Sequence, residues 1–370
     1  LVSPDLIDLL TPLVKDCSEL LCLWPGVQVA DLATRLKIEL AMPGAQFFSQ
    51  GGDALVNSKA TFRALAAASG TPIPRGTVCR TQEELNSAIS ALLKDTDGVM
   101  VKQAHNSAGA GCTVIRKDWT TAPRTAGSIW VNDLSELKGS IPYLWTWGSM
   151  DNRFPVIVEE LKTCCQTVWF EFRADDSQVT FLAAGGLEYE RGKLVREHTP
   201  LNWDIPPESL RTALEHARKL SELYHAIGYR GYMSADGILD SRGKVHFTEM
   251  NARVGGSLPI YGGIWERVVK SSDTVDRHVV QYLTPAHWPA MGTGEVIEGL
   301  RRTGALYDTE TRTGAMLGIP PHTEISDGSY LLCLITRSGS EQHDLFAKID
   351  AQFSTGGPGS QDDEHAEYKH

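Results

Sequence analysis

The chain has 370 residues, 42% of them hydrophobic and 22% charged, which suits two or three globular domains with sizeable cores. A net charge of −11 and an isoelectric point near 5.5 argue against the broad basic face of a nucleic-acid binder, although local lysines and arginines can still cradle phosphates. The seven cysteines include no C-x-x-C pair, and no apolar run reaches about 18 residues, so no disulfide framework, zinc site or membrane span is expected and a cytoplasmic location is.

The sequence begins without Met at LVSPDLIDLL, already a helix start, so an upstream piece is expected to be missing or removed, and no signal peptide is visible. Residues 1–48 alternate short helical patterns with ELLCLWPG, read as strand and turn. NSKATFRALAAASG reads as a helix with Asn57 or Ser58 as N-cap and Gly70 as its stop. TQEELNSAISALLK opens with a capping box, Thr81 to Glu84, and keeps Leu85, Ile89 and Leu92 on one face. GVMVKQ, CTVIR and FPVIVEELK are strands, and 168–195 is a meander with turns at DDSQ and RGK. In the helix from Pro206 to Gly228, the stripe is Leu210, Leu214, Ala217, Leu220, Leu223 and Ile227. The strands GYMSADGIL and KVHFTEM follow, and beyond residue 300 come a strand, GSYLLCLITRSGS, and a helix, HDLFAKIDAQF. The last 17 residues are polar and Gly-rich, the composition of a disordered tail.

FTEMNARVGG carries Glu249, Asn251 and Arg253 at alternate positions, one face of a strand, with Met250, Ala252 and Val254 on the other. A hairpin centred on Arg242 and Gly243 sets Asp236 opposite Glu249 and Ser234 opposite Asn251. Two opposed carboxylates repel each other unless a cation lies between them. Carboxylates with an amide are hard oxygen donors, suited to Mg2+ or Mn2+. A solvated strand face or a slipped register accounts for the same residues. Lys102 ends the apolar run Val99–Val101 and leads into NSAGAG, whose small residues let backbone N–H groups approach a phosphate. The loop fits neither G-x-x-x-x-G-K-[ST] nor G-x-G-x-x-G, and an ordinary hairpin explains it too. Lys59 opens a helix against the dipole, which a nearby anion would explain; ordinary tolerance of a cation at a helix end explains it too, and taken alone is the better account.

In this order, Lys59, Lys102 with its glycine loop, VIVEEL, Asp236 and EMNAR resemble the ATP-grasp superfamily over roughly residues 50–285. The likeness is greatest to the carboxylate–amine ligases of peptide-type natural-product biosynthesis. It implies an α/β (α+β) fold in which two α+β lobes grip ATP. The expected parts are a partial pre-ATP-grasp α/β unit (1–48), a linking helical segment (49–97), a small lobe with a glycine-rich flap (98–158), a large lobe with a metal site (159–285), a closing unit (286–353) and the tail (354–370).

The resemblance also implies roles. Lys59 and Lys102 contact the ATP phosphates beneath a flap holding Ser107, Gly109 and Gly111. Glu159, Glu160 and Leu161 form the hinge for adenine. Asp236, Glu249 and Asn251 hold two Mg2+ ions, with Mn2+ as the alternative. Arg253, together with Lys102, steadies the transferred phosphoryl group. The ribose position, usually acidic in the superfamily, falls on Gln166. The implied reaction joins a small-molecule carboxylic acid to an amine, an amino acid or short peptide, through an acyl phosphate, releasing ADP and phosphate. Neither nucleic acid nor membrane is an expected partner, and a homodimer is an open option. GGSLPIYGG, Arg191, His198 and Arg230 are candidates for choosing the substrates, though ordinary surface cations explain those three as well. Two other functions stay open: an ATP-dependent carboxylase of the biotin-carboxylase type, and an ATP-binding protein without catalysis.

Overall fold

The computed structural model describes residues 3–106, 111–116, 128–130, 134–163, 166–190, 193–201, 205–271, 276–285, 287–319 and 330–354. In chain order the strands are β1 (Gly76–Cys79), β2 (Gly98–Gln103), β3 (Cys112–Arg116), β4 (Ser128–Trp130), β5 (Val156–Glu160), β6 (Gln166–Ala174), β7 (Val179–Glu190), β8 (Lys193–Thr199), β9 (Gly231–Leu239), β10 (Val245–Asn251), β11 (His278–Leu283), β12 (Gly314–Ile319) and β13 (Leu331–Thr336). They fall in two compact units, Leu1–Gly186 with Leu201–Gly255, and Leu187–Pro200 with Gly256–His370.

The first unit holds a five-stranded sheet, ordered β1-β5-β2-β3-β4 and antiparallel except between β3 and β4. The expected strands GVMVKQ and CTVIR form residue for residue. The helix Gln82–Asp95 starts where Thr81 Oγ1 accepts the Glu84 N–H at 3.2 Å. The return half of the box goes elsewhere: the Glu84 carboxylate takes the Arg80 N–H at 2.6 Å. Leu85, Ile89 and Leu92 then bury against Val99, Val101 and Val158 of the sheet.

The second sheet of this unit runs β10-β9-β6-β7. The helices Lys59–Ser69 and Pro207–Ala226 pack on its apolar face. That face carries Val168, Phe170, Phe172, Ala235, Phe247, Met250 and Ala252. Burying one such large side chain contributes about 1.5–3 kcal/mol, so this layer fixes the strands beneath the site. The long helix sits rotated from the expected stripe. Ala213, Ala217, Leu220, Ser221 and Tyr224 are buried, while Ile227 is 37% exposed. Tyr224 fills the core where the smaller aliphatics on the neighbouring positions were expected.

Two readings need correction. ELLCLWPG forms no strand, and the described residues before 49 carry helices only. Isolated hydrogen bonds hold the segment, Leu20 N–H to Ala41 O and Val254 N–H to Leu23 O, and these do not build a ladder. The hairpin joining β9 and β10 also differs at its tip. Its loop is Ser241–Gly243, with Gly243 in the left-handed region at φ +78° and Asp240 Oδ1 accepting the Arg242 and Lys244 N–H groups. Val245 therefore faces Leu239 and Phe247 faces Gly237. A bulge at Thr248 shifts the register by one, and from there Glu249 faces Asp236 and Asn251 faces Ser234, as expected. The bulge returns Phe247 to the core side with Met250 and Ala252, so Phe247 does not share the face of Glu249 and Asn251.

In the second unit the strands run β8-β11-β13-β12, all antiparallel. The helices Thr293–Arg302 and Gly339–Ser354 close a core around Trp288, Tyr330, Leu332, Leu334 and Phe353. Pro259–Val269, overlapping the segment expected to choose substrates, is a π-helix. Arg191, much of the RGK turn and the tail lie outside the described residues. Among the described residues no helix is long and apolar enough to cross a membrane.

Candidate active site

The polar face of β9 and β10 brings two carboxylates together in a half-buried position. Asp236 accepts from Ser234 Oγ at 2.6 Å and from Asn251 Nδ2 at 2.7 Å. The same Asn251 amide lies 3.5 Å from Glu249 Oε1. Burial first, then the charge of Glu249, raises the Asp236 carboxyl to about 7. Burial pushes Glu249 upward as well, but Lys59, with Lys102 and Arg253 behind it, more than offsets this and holds Glu249 below the usual carboxylate range. One acid of the pair thus carries the charge and the other is poised near neutrality, as coupled carboxylates require.

Lys59 is almost fully buried, and its ammonium reaches Glu249 Oε2 at 2.9 Å and the Asn106 carbonyl at 2.7 Å. Glu249 is thus the anion that explains a lysine at this helix start. Lys102 is buried too and pairs with Glu159. Burial alone would lower the Lys102 ammonium, but Glu159 outweighs it and keeps the group above its ordinary value. The other oxygen of Glu159 takes Arg63 Nη1 at 3.0 Å, and Arg63 Nη2 donates to the Pro74 carbonyl at 3.1 Å. Glu159 is therefore committed to a buried triad, which fixes Lys102.

Arg253 is held from two sides. Its Nη1 donates to Asn57 Oδ1 at 3.1 Å, and its guanidinium carbon lies 4.3 Å from the centre of the Trp24 ring. Asn57 Oδ1 also accepts the Ala252 N–H at 3.1 Å, so one amide ties the end of β10 to the entry of the helix Lys59–Ser69. Lys59, Glu249, Asn251 and Arg253 line a cleft of about 380 Å³ together with Trp24, Asp53 and His105. Burial, then Lys59, lowers His105 below its ordinary value.

The sequence reading missed Arg63, Asn57 and Trp24. Asn57 was visible only as a helix cap. Arg63 and Trp24 gave no signal, because their partners lie 96 and 229 residues away in the chain.

Other expected residues stand differently. Gln166 faces Leu239 across the β6–β9 ladder, and Trp169 faces Asp236 in the same unbroken register. Three residues apart in a strand means opposite faces, so Gln166 points away from the acid rung. The N–H groups of Glu160 and Leu161 are taken by the Arg75 and Gly98 carbonyls, and the Glu160 carboxylate accepts from Lys162 at 2.8 Å. Ser107 and Gly109 lie outside the described residues. Gly111 accepts the Gln103 N–H at 2.8 Å, and a Cβ there would stand 2.4 Å from Asn106 Cβ, so glycine is required by the close turn itself. Arg230 pairs with Asp176 and the His225 and Tyr229 carbonyls, and it does not line this cleft.

Among the described residues, no group of three or more His, Cys, Asp or Glu side chains is arranged to hold a metal. The donors present are two carboxylates and an amide. Turning the Asn251 amide would present its oxygen in place of the N–H now lying between the acids. That hard, anionic donor set fits Mg2+ or Mn2+.

No protein-family model matches the chain, and no curated protein is similar to it in sequence. Solved structures are similar. A biotin carboxylase from Campylobacter jejuni in a β,γ-ATP complex gives a TM-score of 0.61 at 12% identity, over 94% of this chain and 76% of that one. The biotin carboxylase domain of the Hydrogenobacter thermophilus 2-oxoglutarate carboxylase, with MgADP, ADP and bicarbonate, gives 0.58 at 14%, over 90% and 73%. N5-carboxyaminoimidazole synthetase from Staphylococcus aureus, with ADP, gives 0.56 at 13%, over 93% and 83%.

Proposed function

Starting from the ATP-grasp fold that these likenesses show, we propose that the chain is an ATP-dependent carboxylate–amine ligase. It would join a small carboxylic acid to an amino acid or short peptide, in the manner of peptide-type natural-product biosynthesis, in the cytoplasm and with a homodimer as an open option. The observation that carries the reading is the Asp236–Glu249 rung with Asn251, bordered by Lys59 and Arg253. Opposed half-buried carboxylates are costly without cations, and lysines and arginine around them suit a polyphosphate.

Asp236, Glu249 and Asn251 would hold two Mg2+ ions, with Mn2+ as the alternative, and bound ions would neutralise charge on the triphosphate. The protein's own groups do the rest. Lys59, released from Glu249, turns to the phosphates. Lys102 is held charged by Glu159 and adds a second fixed cation. Arg253, steadied by Asn57 and Trp24, bears on the transferred phosphoryl oxygens. Ser107, Gly109 and Gly111 belong to the covering flap, and 159–161 form the adenine hinge, with Glu159 acting through Lys102. A substrate carboxylate oxygen attacks the γ-phosphorus and ADP leaves. The amine then attacks the acyl carbon, the C–N bond forms, a proton is lost, and phosphate departs with its bonding electrons.

A second reading, an ATP-dependent carboxylase, is favoured by one finding: a structural neighbour holds bicarbonate. ADP release from Mg-ATP, measured with mixed amino acids and separately with bicarbonate, decides between them. Stimulation by amino acids supports the ligase, stimulation by bicarbonate alone supports the carboxylase, and none by either leaves nucleotide binding without this catalysis.

A further inference from the structure

We propose that Asp53 binds the ammonium group of the amine substrate in the cleft that it lines with Glu249 and Arg253. The proposal rests on the ligase reading and names a residue that chooses the second substrate. Asp53 lines the same cleft as Glu249 and Arg253, in a half-buried position. The cations around it are committed elsewhere: Lys59 to Glu249 and the Asn106 carbonyl, Arg253 to Asn57 and Trp24. Among the described residues, no hydrogen bond or ion pair falls to the Asp53 carboxylate, although its charge is felt at His105. A partly desolvated carboxylate left without a donor is unfavourable, and inside a substrate-sized cleft it is an acceptor waiting for one.

Two details keep it available. A Cβ on Gly26 would stand 3.1 Å from Asp53 Oδ2, so the glycine leaves the flank of the carboxylate open. Asn57 donates from Nδ2 to the Asp53 main-chain carbonyl at 3.1 Å while its Oδ1 accepts from Arg253. One side chain thus ties the candidate ammonium site to the arginine expected at the reacting phosphoryl group. A primary amine enters as a cation at neutral pH. A carboxylate recognises that charge, and it repels a second anionic acid that would otherwise fill the subsite.

The test uses the full chain and simple probes, followed by saturation-transfer NMR: ethylammonium, neutral ethanol of the same size, and acetate. Ethylammonium should bind the wild type more tightly than ethanol does. Asp53→Asn should weaken ethylammonium about tenfold or more, the size expected for a charge-assisted hydrogen bond, with ethanol affinity unchanged. Asp176→Asn, which removes an exposed acid outside the cleft, should change nothing. Ethylammonium affinity that is absent from the wild type, or unaltered by Asp53→Asn, overturns the proposal. The ligase reading fails separately, if no amino-acid mixture stimulates ADP release.

Discussion

Replacing Asp236 by Asn changes charge and little else. An asparagine can accept from Asn251 through its oxygen and donate to Ser234 through its nitrogen, so both hydrogen bonds of Asp236 have counterparts. The wild-type carboxyl, raised from 3.8 to about 7, is a stability statement. The folded-state value exceeds the unfolded one, so the favourable contribution is complete below the unfolded value and is lost as pH rises through the folded one. The penalty grows by about 1.4 kcal/mol per pH unit in that window and is flat above it. Its ceiling is about 4 kcal/mol, and the share taken by Glu249 makes the realised value smaller. Metal-free Asp236→Asn should therefore be more stable than wild type at pH 8, and its advantage should shrink by about 2 kcal/mol at pH 5.5. Urea unfolding at both values, in the presence of a chelator, measures this. An advantage that does not change with pH refutes the placement of two opposed acids in a poorly solvated pocket.

Glu249→Gln should lower turnover by several orders of magnitude while the protein stays folded, checked by ADP release and by circular dichroism; near wild-type turnover removes Glu249 from the site. Glu159→Gln leaves Lys102 and Arg63 buried without an anion, and breaking a buried ion pair in this way should cost about 3–5 kcal/mol in urea unfolding. Asn57→Ala frees Arg253 and the Ala252 N–H and should reduce turnover more than it weakens Mg-ATP binding by calorimetry. Gln166→Glu, on the face away from the acid rung, should leave calorimetric ATP affinity unchanged, whereas a tighter complex would return Gln166 to the ribose.

The acid rung was legible because a short hairpin relates sequence spacing to opposition across a ladder. Its detail was not. The glycine-ended loop offsets the register by one and the bulge at Thr248 restores it, so the right pairing was reached without either device being read. GVMVKQ, buried at every position but Met100, and CTVIR, buried at alternate positions, declared themselves, because their valines and isoleucine need only a generic apolar face. ELLCLWPG failed for the opposite reason: apolar composition makes a strand only where a partner edge is available, and this segment finds two isolated bonds. Gln166 was placed by counting along the chain from the expected hinge, which ignores the face on which β6 enters its ladder. The partners that fix Lys102 and Arg253 come from distant segments and carry no local pattern, so Arg63 and Trp24 needed the fold.

In the proposed reaction ATP is spent by phosphorylating a carboxylate. The direct measurement supplies carboxylic acids, amino acids among them, labelled with heavy oxygen in the carboxyl group, together with Mg-ATP and amines, and follows the phosphate by mass spectrometry and phosphorus NMR. ADP and phosphate should appear in equal amounts, with one heavy oxygen carried from the carboxylate into the phosphate. Release of AMP and pyrophosphate, or phosphate without the label, contradicts it.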